Sequence, residues 1–372
     1  NIMQNRILLS SVIILFLLKI IALNFTTFNL FGDEAQYWLW SKDINFGYFS
    51  KPPFIAWVIK FYTEMFNDSF ISLKLMPSFI YFLISWSIYI LLQNSGLNKA
   101  DSLAGCLTFL FIPAVSFSSF IISTDLFLIL FWTLSINELI KITKKQSLRN
   151  FILLGIFLGL GFLSKYAAIY FLICLLVLFL LDKNFRKIFF NNLIGFAFSI
   201  LCMVIIIIPN IVWNINNNWI TLQHTSDNAN FTNVEFNIVR GLEFLLIQIL
   251  MLGPFLVLAG FISFNKINNI QKILLIFSLP IIIIVTMEAV FVRANANWAA
   301  PALISLFVYF YIGIHNSALR IINFIFNFSF CIIFFTMVAV SYPSNFFNRV
   351  SGLNQYAIEI YNSPSMLYKN NM

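Results

Sequence analysis

The sequence NLFGDEAQYWLWSKDINFGYFSKPPFIAW, residues 29–57, is the first long polar stretch in an otherwise apolar chain. It contains the adjacent acids Asp33 and Glu34, and later the sequence Lys51-Pro52-Pro53. Between them lie four aromatic residues with polar groups: Tyr37, Trp38, Trp40 and Tyr48. Only 14 of the 372 residues are acidic, and a membrane protein must keep such carboxylates in water or give them partners. A solvated loop is the ordinary interpretation, but this combination of residue types favours a functional loop.

The composition is that of an integral membrane protein. Hydrophobic residues make up 60% of the chain and charged residues 10%, whereas a soluble domain has roughly 25% charged residues. The four cysteines lie singly in apolar runs, which indicates small core residues and not a disulfide framework or a metal site. The net charge of +8 is spread between hydrophobic segments, so membrane topology and anionic lipid explain it better than nucleic acid does.

Hydropathy predicts an all-α polytopic protein with about eleven membrane-spanning helices, since a span needs about 20 mostly apolar residues. The first is expected to be a retained anchor, because no small-residue cleavage site follows it. Two short helices are expected between 150 and 181, with a break at Ser164-Lys165-Tyr166. The predicted spans are 7–23, 71–93, 102–122, 125–142, 151–164, 168–181, 188–213, 241–262, 273–291, 299–314 and 321–341.

The distribution of basic residues predicts a cytoplasmic N-terminus. With that orientation the cytoplasmic side has Arg6, Lys99, Lys141, Lys144, Lys145, Arg149, Lys183, Arg186, Lys187, Lys266, Lys272 and Arg320. Only three of the acids lie on that side. The outer side then has two large loops, 24–70 and 214–240, and the tail 342–372. Residues 53–66 have apolar residues at helical spacing and are expected to lie along the membrane surface.

The polar side chains that suit catalysis gather on this outer side. A carboxylate can take a proton from an attacking hydroxyl, and a second one can orient the acceptor or balance charge at a sugar's anomeric carbon. Lysine and arginine suit a phosphate leaving group, and tyrosine and tryptophan suit sugar rings. The candidates are Asp33, Glu34, Asp125, Lys51, Lys165, Arg293 and His224. The sequence has no phosphate-binding glycine loop and no metal-spaced His/Cys cluster. No cofactor is expected, and a divalent metal is an open but unindicated alternative.

Most candidates also have an ordinary structural interpretation. Asp125 is placed to cap the helix that begins there. Lys165 is placed to extend towards lipid headgroups, and Arg293 to bind lipid phosphate non-specifically. His224 lies in an Asn-rich loop that is typical of a protein surface.

The order of these motifs resembles that of the GT-C membrane glycosyltransferases. The similarity is to the bacterial protein O-mannosyltransferase-like and lipid A aminoarabinose transferase-like group, that is, glycosyltransferase family 39-like proteins. The first-loop sequence GDEAQYWLWSKDINFGYFSKPPFIAW is the most specific part of the resemblance. Further matching stretches are STD at 123–125, GLGFLSKYAA at 159–168, PNIVWNINNNWITLQHTSDNA at 209–229 and RANANWAAPA at 293–302.

The resemblance implies one transmembrane glycosyltransferase domain over residues 1–341, followed by a short extracytoplasmic tail. It implies that Asp33 is the catalytic base, supported by Glu34, with Asp125 assisting. Lys51 would bind the donor phosphate, with Lys165 and Arg293 as additional contacts. Sugar or acceptor contacts are expected from Tyr37, Trp38, Tyr48, His224, Asn297 and Trp298. Ser50 stands where some relatives have an acidic residue, which weakens the case for a metal there.

The resulting hypothesis is an inverting sugar transfer from a polyprenyl-phosphate donor at the outer face of a bacterial inner membrane. The acceptor is a lipid, glycan or protein hydroxyl, and nucleic acid is not expected as a partner. A transporter or flippase for lipid-linked sugars is the main alternative. That alternative predicts paired broken helices in two related halves, and no convincing internal repeat is present. A non-catalytic lipid-binding protein is a further alternative, which leaves Asp33 and Asp125 without a role.

Overall fold

The computed structural model of the chain describes residues 2–26, 30–229, 235–263 and 267–339. These residues form α-helices and two short 3-10 helices, at Tyr166–Ala168 and Ala296–Ala299, and no strand. The helices are α1 (Ile2–Phe25), α2 (Gly32–Trp40), α3 (Phe54–Phe66), α4 (Phe70–Asn94), α5 (Lys99–Phe109), α6 (Pro113–Ser118), α7 (Thr124–Lys144), α8 (Leu148–Ser164), α9 (Ile169–Leu181), α10 (Lys183–Asn191), α11 (Leu193–Asn216), α12 (Ile220–Ala229), α13 (Ile238–Leu252), α14 (Pro254–Ile262), α15 (Asn269–Ile276), α16 (Leu279–Phe291), α17 (Ala300–Gly313) and α18 (Ser317–Ala339).

The prediction of an all-helical multi-pass membrane protein is confirmed, whereas the count of eleven spans is not. Within the described ranges, six stretches are long and apolar enough to cross a membrane, or eight if two bent helix pairs each count as one span. Val12–Phe25 and Leu148–Ser164 are shorter apolar helices. The six stretches are Phe70–Asn94, Thr124–Lys144, Leu193–Asn216, Asn269–Phe291, Ala296–Gly313 and Ser317–Ala339.

Proline and glycine break several of the segments predicted to be continuous. The segment 102–122 is divided between α5 and α6, because Pro113 begins a new helix. The segment 241–262 bends by 86° where Gly253, at a φ of 102°, precedes Pro254. The segment 188–213 starts later than predicted, at Leu193, because residues 183–191 form the separate helix α10. The break expected at Ser164-Lys165-Tyr166 is present between α8 and α9.

The core of the bundle is formed by α4, α7, α8 and α11, each packed against the next, while α18 packs on α1 and α13 on α16. Helices α8 and α11 run in the same direction. At their beginnings the Ser199 hydroxyl donates to the Phe151 carbonyl at 2.6 Å. At their other ends the Tyr166 hydroxyl donates to Asn210 Oδ1 at 2.9 Å. We call the end at which α7 begins and α8 and α11 finish the site end of the bundle.

The two predicted outer loops are partly helical. The first contains α2 and α3, and α3 matches the predicted surface helix over residues 53–66. The second contains the end of α11 and α12. Residues 27–29 of the first loop and 230–234 of the second lie outside the described residues, as do the predicted tail 342–372 and the side chain of Arg6.

Candidate active site

Glu34 is a buried scaffold residue, with 0% of its surface exposed. Its Oε2 atom accepts hydrogen bonds from the Phe31 N–H at 2.7 Å and from Lys74 Nζ at 2.5 Å. Its Oε1 atom accepts one from the Ile122 N–H at 2.7 Å. One carboxylate therefore joins the start of α2, the helix α4 and the segment that leads into α7. In its burial Glu34 differs from Asp33, which is exposed at the adjacent position of α2.

Two buried lysines hold the segment 119–122 in place. Lys74 Nζ also donates to the Phe120 carbonyl at 3.1 Å. Lys19, on α1, donates to the Ser119 carbonyl and to Ser78 Oγ, and its ammonium lies 4.6 Å from the centroid of the Phe120 ring. The chain just before Asp125 is thus bonded to α1, α2 and α4.

Asp125 lies in the first turn of α7, and both of its carboxylate oxygens have partners. Lys165 Nζ donates to Oδ1 at 2.7 Å, and Asn297 Nδ2 donates to Oδ2 at 2.8 Å. Ser123 occupies the N-cap position, so the capping role considered for Asp125 is not the one observed. Lys165, at the break between α8 and α9, pairs with this carboxylate and does not extend to headgroups. The three side chains join three separate parts of the chain.

The loop between α2 and α3 is fixed by its own aromatic residues and by α11. The Tyr48 hydroxyl donates towards the carbonyls of Trp40 and Asp43, at 3.1 and 2.9 Å, and the Tyr48 ring stacks on Trp40 with centroids 4.7 Å apart. Burial raises the pKa of Tyr48 to about 12, so its hydroxyl remains a donor at neutral pH. The Tyr48 N–H donates to the Lys51 carbonyl at 3.2 Å, which closes the turn before Pro52.

Contacts from α11 and α12 complete the position of this loop. Asn210 Nδ2 donates to the Phe46 carbonyl and Thr221 Oγ1 to the Tyr48 carbonyl, each at 2.6 Å. Between them Gly47 lies against the Trp213 ring, where an added Cβ atom would be 2.3 Å from Trp213 Cε3. Only glycine fits this close approach, so the loop backbone rests directly on α11.

Lys51 is half-buried, and its ammonium makes no hydrogen bond or ion pair with any residue that the structure describes. Burial lowers the pKa of Lys51, and the nearby Lys165 ammonium lowers it further, while the Asp33 and Asp125 carboxylates act in the opposite direction. Lys51 therefore shares one electrostatic environment with these three groups. An ammonium without a bonded carboxylate in a half-buried position suits an anionic ligand.

Two of the other residues predicted to contact the sugar or acceptor, Tyr37 and His224, lie within electrostatic reach of the charged groups of the site. Tyr37 is 3% exposed, and burial followed by the charges of Asp33 and Asp125 raises the pKa of its hydroxyl well above the ordinary value. His224 is half-buried, with its ring 4.8 Å from that of Phe49, and burial followed by the Lys51 charge lowers the pKa of its imidazole. Both residues therefore adjoin the charged cluster.

The structure shows protein contacts for three further predicted residues, Trp38, Tyr48 and Trp298, and leaves Arg293 exposed. The Trp38 indole N–H donates to Asp68 at 2.5 Å. Tyr48 is buried within the loop, with 7% of its surface exposed. The polar atoms of both side chains are bonded to protein, so a contact with a sugar would use the aromatic rings. Trp298 packs on the core. Arg293 is exposed and makes no ion pair within the described ranges. The residues that the structure describes contain no group of three or more side chains that could hold a metal ion.

Comparisons with known proteins agree on the class of protein. A family described as dolichyl-phosphate-mannose-protein mannosyltransferase matches residues 50–213. The lipid A galacturonosyltransferase RgtD of Rhizobium johnstonii is 29% identical over 293 residues, covering 77% of this chain. The crystal structure of ArnT from Cupriavidus metallidurans bound to undecaprenyl phosphate superposes with a TM-score of 0.63, at 15% identity, over 82% of this chain. The chain is therefore similar in sequence to these glycosyltransferases, and it shares its fold with ArnT.

The match to these GT-C proteins covers part of their length. The chain spans 61% of RgtD and 59% of the ArnT chain. An archaeal oligosaccharyltransferase from Archaeoglobus fulgidus also shares the fold, with a TM-score of 0.51 at 13% identity. The predicted resemblance to the GT-C glycosyltransferases is confirmed by these matches.

The residues that position this candidate site were not predicted from the sequence. Lys19 and Lys74 are lysines inside apolar helices, and such residues are rare unless they have a partner, which was the available signal. Asn210 and Thr221 lie in the matching stretch 209–229, but nothing in the sequence indicates which backbone groups they bind.

Lys74→Met is expected to destabilise the protein by about 3–5 kcal/mol, because it leaves the buried Glu34 carboxylate without its cation. The double variant Lys74→Met/Glu34→Gln is expected to recover much of this loss, since no buried charge remains. Thermal unfolding in detergent provides the measurement. Lys60→Met, which breaks the exposed pair with Glu64, is the control and should change stability by less than about 0.5 kcal/mol. A single variant as stable as the wild type would refute the scaffold role.

Proposed function

We propose that this chain transfers a sugar from a polyprenyl-phosphate donor to an acceptor hydroxyl at the outer face of a bacterial inner membrane. The N-terminus is cytoplasmic in this proposal, and the site end faces the periplasm. The observation that supports it is that the exposed Asp33 carboxylate acts electrostatically on the half-buried Lys51, whose ammonium has no bonded carboxylate among the described residues.

Asp33 is the general base of the proposed reaction. The acceptor hydroxyl gives its proton to the Asp33 carboxylate while its oxygen forms a bond to the anomeric carbon of the sugar. The bond from that carbon to the phosphate oxygen breaks, and polyprenyl phosphate leaves with the electron pair. Because a single displacement occurs, the configuration at the anomeric carbon is inverted. Glu34 supports the reaction by fixing α2, on which Asp33 lies.

Lys51 is the main contact for the donor phosphate. Its ammonium neutralises the negative charge that grows on the leaving group. Asp125 is held rigidly by Lys165 and Asn297 and faces the same electrostatic environment, so it balances positive charge at the anomeric carbon. Arg293 lies on the same chain segment as Asn297, and we assign it a further contact to the phosphate when donor is bound.

The donor and acceptor classes follow from the relatives. ArnT has been crystallised with undecaprenyl phosphate, which supports a polyprenyl-phosphate donor here. RgtD is a lipid A galacturonosyltransferase, so a lipid A-type glycolipid is the first acceptor to test. A protein hydroxyl is the second, since the matching family is described as a protein mannosyltransferase family.

Asp33→Asn is expected to lower the rate of polyprenyl phosphate release by about 10²–10⁴-fold, because the amide cannot accept the acceptor's proton. Donor binding should stay within about 3-fold of wild type, since the general base does not contact the phosphate. The assay uses purified protein, a panel of polyprenyl-phosphate sugars and a lipid A or membrane acceptor extract.

Asp43→Asn is the matched control, because Asp43 is another exposed carboxylate of the same loop. It should leave the rate nearly unchanged. Near wild-type turnover by Asp33→Asn would show that the catalytic assignment is wrong. Donor binding without release by the wild type, for every donor and acceptor, would favour the carrier or transporter alternative.

Lys51→Ala is expected to weaken donor binding about 10–100-fold, the usual contribution of a hydrogen bond to a charged group. Wild-type affinity should fall as pH rises through the lowered pKa of Lys51, which lies below the value of about 10.4 for a free lysine. The donor is a phosphodiester and keeps its charge over this range, so the fall reports the loss of protonated lysine.

Lys51→Arg separates this effect from other titrations, because arginine remains protonated. Its donor affinity should be independent of pH between neutrality and about pH 10, as measured by binding of a fluorescent polyprenyl-phosphate sugar. Lys60→Ala, on the neighbouring helix α3, serves as the control for charge removal. An identical decline with pH in wild type and Lys51→Arg would exclude Lys51 as the titrating contact.

A further inference from the structure

A second charged surface lies at the end of the bundle away from the candidate active site. There α7 finishes and α8 and α11 begin, with α10 between α9 and α11. We call this the basic end. It has no part in the proposed chemistry of Asp33, so a binding role for this surface does not depend on the proposed function.

Helix α10 leaves the direction of α9 sharply and is fixed in that orientation. The segment Tyr166–Leu181 and α10 meet at 106°. Asp182 forms the corner: its Oδ1 atom accepts from the Phe185 N–H at 2.8 Å and its Oδ2 atom from Lys272 Nζ at 2.8 Å. Burial alone would raise the pKa of Asp182, but the Lys272 ammonium and the Phe185 N–H outweigh it and lower that pKa. The corner therefore stays ionised and bonded at neutral pH.

The two sides of α10 differ in their environment. Phe185 is 3% exposed, and Phe189 packs on Phe196 with ring centroids 4.8 Å apart. At about 100° per residue, the opposite side carries Lys183, Lys187 and Phe190. Phe190 is 61% exposed, and both lysines are exposed as well. An outward face with cations and an aromatic ring is typical of a helix that lies in the headgroup region of a membrane.

The surroundings of α10 place that headgroup region. The last residues of α9 and the first of α11 expose large apolar side chains, and α11 is a membrane span of which 22% is buried in the protein. These apolar surfaces stop at α10. The exposed apolar side chains are those of Leu180 and Leu181 at the end of α9 and of Leu193 and Ile194 at the start of α11. The change from apolar to charged surface therefore coincides with α10.

The carboxylates described at the basic end are already in ion pairs. Glu138 pairs with Lys141 at 2.6 Å, Asp182 with Lys272 at 2.8 Å and Asp101 with Arg320 at 2.7 Å. Exposed cations remain beyond these pairs, so the surface is positive overall. They are Lys99, Lys144, Lys145, Arg149, Lys183 and Lys187. Such a surface complements an anionic one.

We propose that α10 is a binding site for anionic phospholipid headgroups. The helix lies in the plane of the membrane surface, with Phe190 in the boundary between headgroups and acyl chains. Lys183, Arg186 and Lys187 contact lipid phosphates on either side of that ring. The occupant is the anionic lipid leaflet itself, since the face combines positive charge with apolar surface that continues into the lipid-facing spans.

The test compares lipid binding to the full-length detergent-solubilised chain by native mass spectrometry. Wild-type protein is titrated with phosphatidylglycerol and with phosphatidylcholine. Lys183→Gln/Arg186→Gln/Lys187→Gln should bind phosphatidylglycerol on the order of 100-fold more weakly, given the usual contribution of each juxtamembrane cation. Its affinity for phosphatidylcholine should not change. The control Lys42→Gln/Lys60→Gln/Arg240→Gln removes three cations outside the basic end and should bind both lipids as the wild type does.

Salt and soluble anions provide the second measurement. Wild-type affinity for phosphatidylglycerol should decrease as ionic strength rises, and Phe190→Asp should also lower it, because the ring no longer enters the lipid. Equal loss of affinity in the control triple variant would refute the proposal, as would equal binding of the two lipids. Inorganic phosphate or an acidic peptide competing at micromolar concentration would instead assign the surface to a soluble anion and overturn the lipid assignment.

Discussion

The buried carboxylate of Glu34 is the constraint on which the candidate site depends. A charge removed from water is costly unless its oxygens are fully bonded and a counter-charge is adjacent. Glu34 meets this requirement with Lys74 and with two backbone N–H groups from different parts of the chain. As a result, the position of Asp33 on α2 and the approach to Asp125 before α7 are determined by the same group. Short loops on the bundle are therefore held in place by contacts with the helices.

The charged groups at the site end have different degrees of freedom. Asp125 is bonded through both oxygens and is fixed, whereas Asp33 and Lys51 are free of protein partners among the described residues. A rigid carboxylate next to an accessible carboxylate and an accessible ammonium is the arrangement that proton transfer and phosphate binding require. The surrounding aromatic residues contribute mainly by fixing the loop, as the stacking of Tyr48 on Trp40 shows.

Some of this organisation was readable in the sequence, because it depends on local composition. The polar first loop with Asp33, the surface helix at 53–66 and the break at Lys165 all follow from patterns a few residues long. The partners of Glu34 could not be predicted from such patterns. Lys74 is 40 residues away in an apolar helix, and hydropathy cannot identify the residue that pairs with it. Averaging hydropathy over a window also concealed the bends, although Pro113 and Gly253-Pro254 mark them. The structural role of Tyr48 in fixing the loop was not predicted, because composition does not distinguish an aromatic ring that contacts a ligand from one packed inside a loop.

The contact between Gly47 and Trp213 has a consequence for how this protein responds to the surrounding bilayer. The loop that bears Lys51 rests on α11, which packs on α8 while only 22% of its apolar span is buried inside the protein. A helix in that situation adjusts its tilt when the thickness of the hydrocarbon layer changes. Asn210 and Trp213 move with α11, and the loop moves with them. A change in bilayer thickness therefore changes the position of Lys51 relative to Asp33.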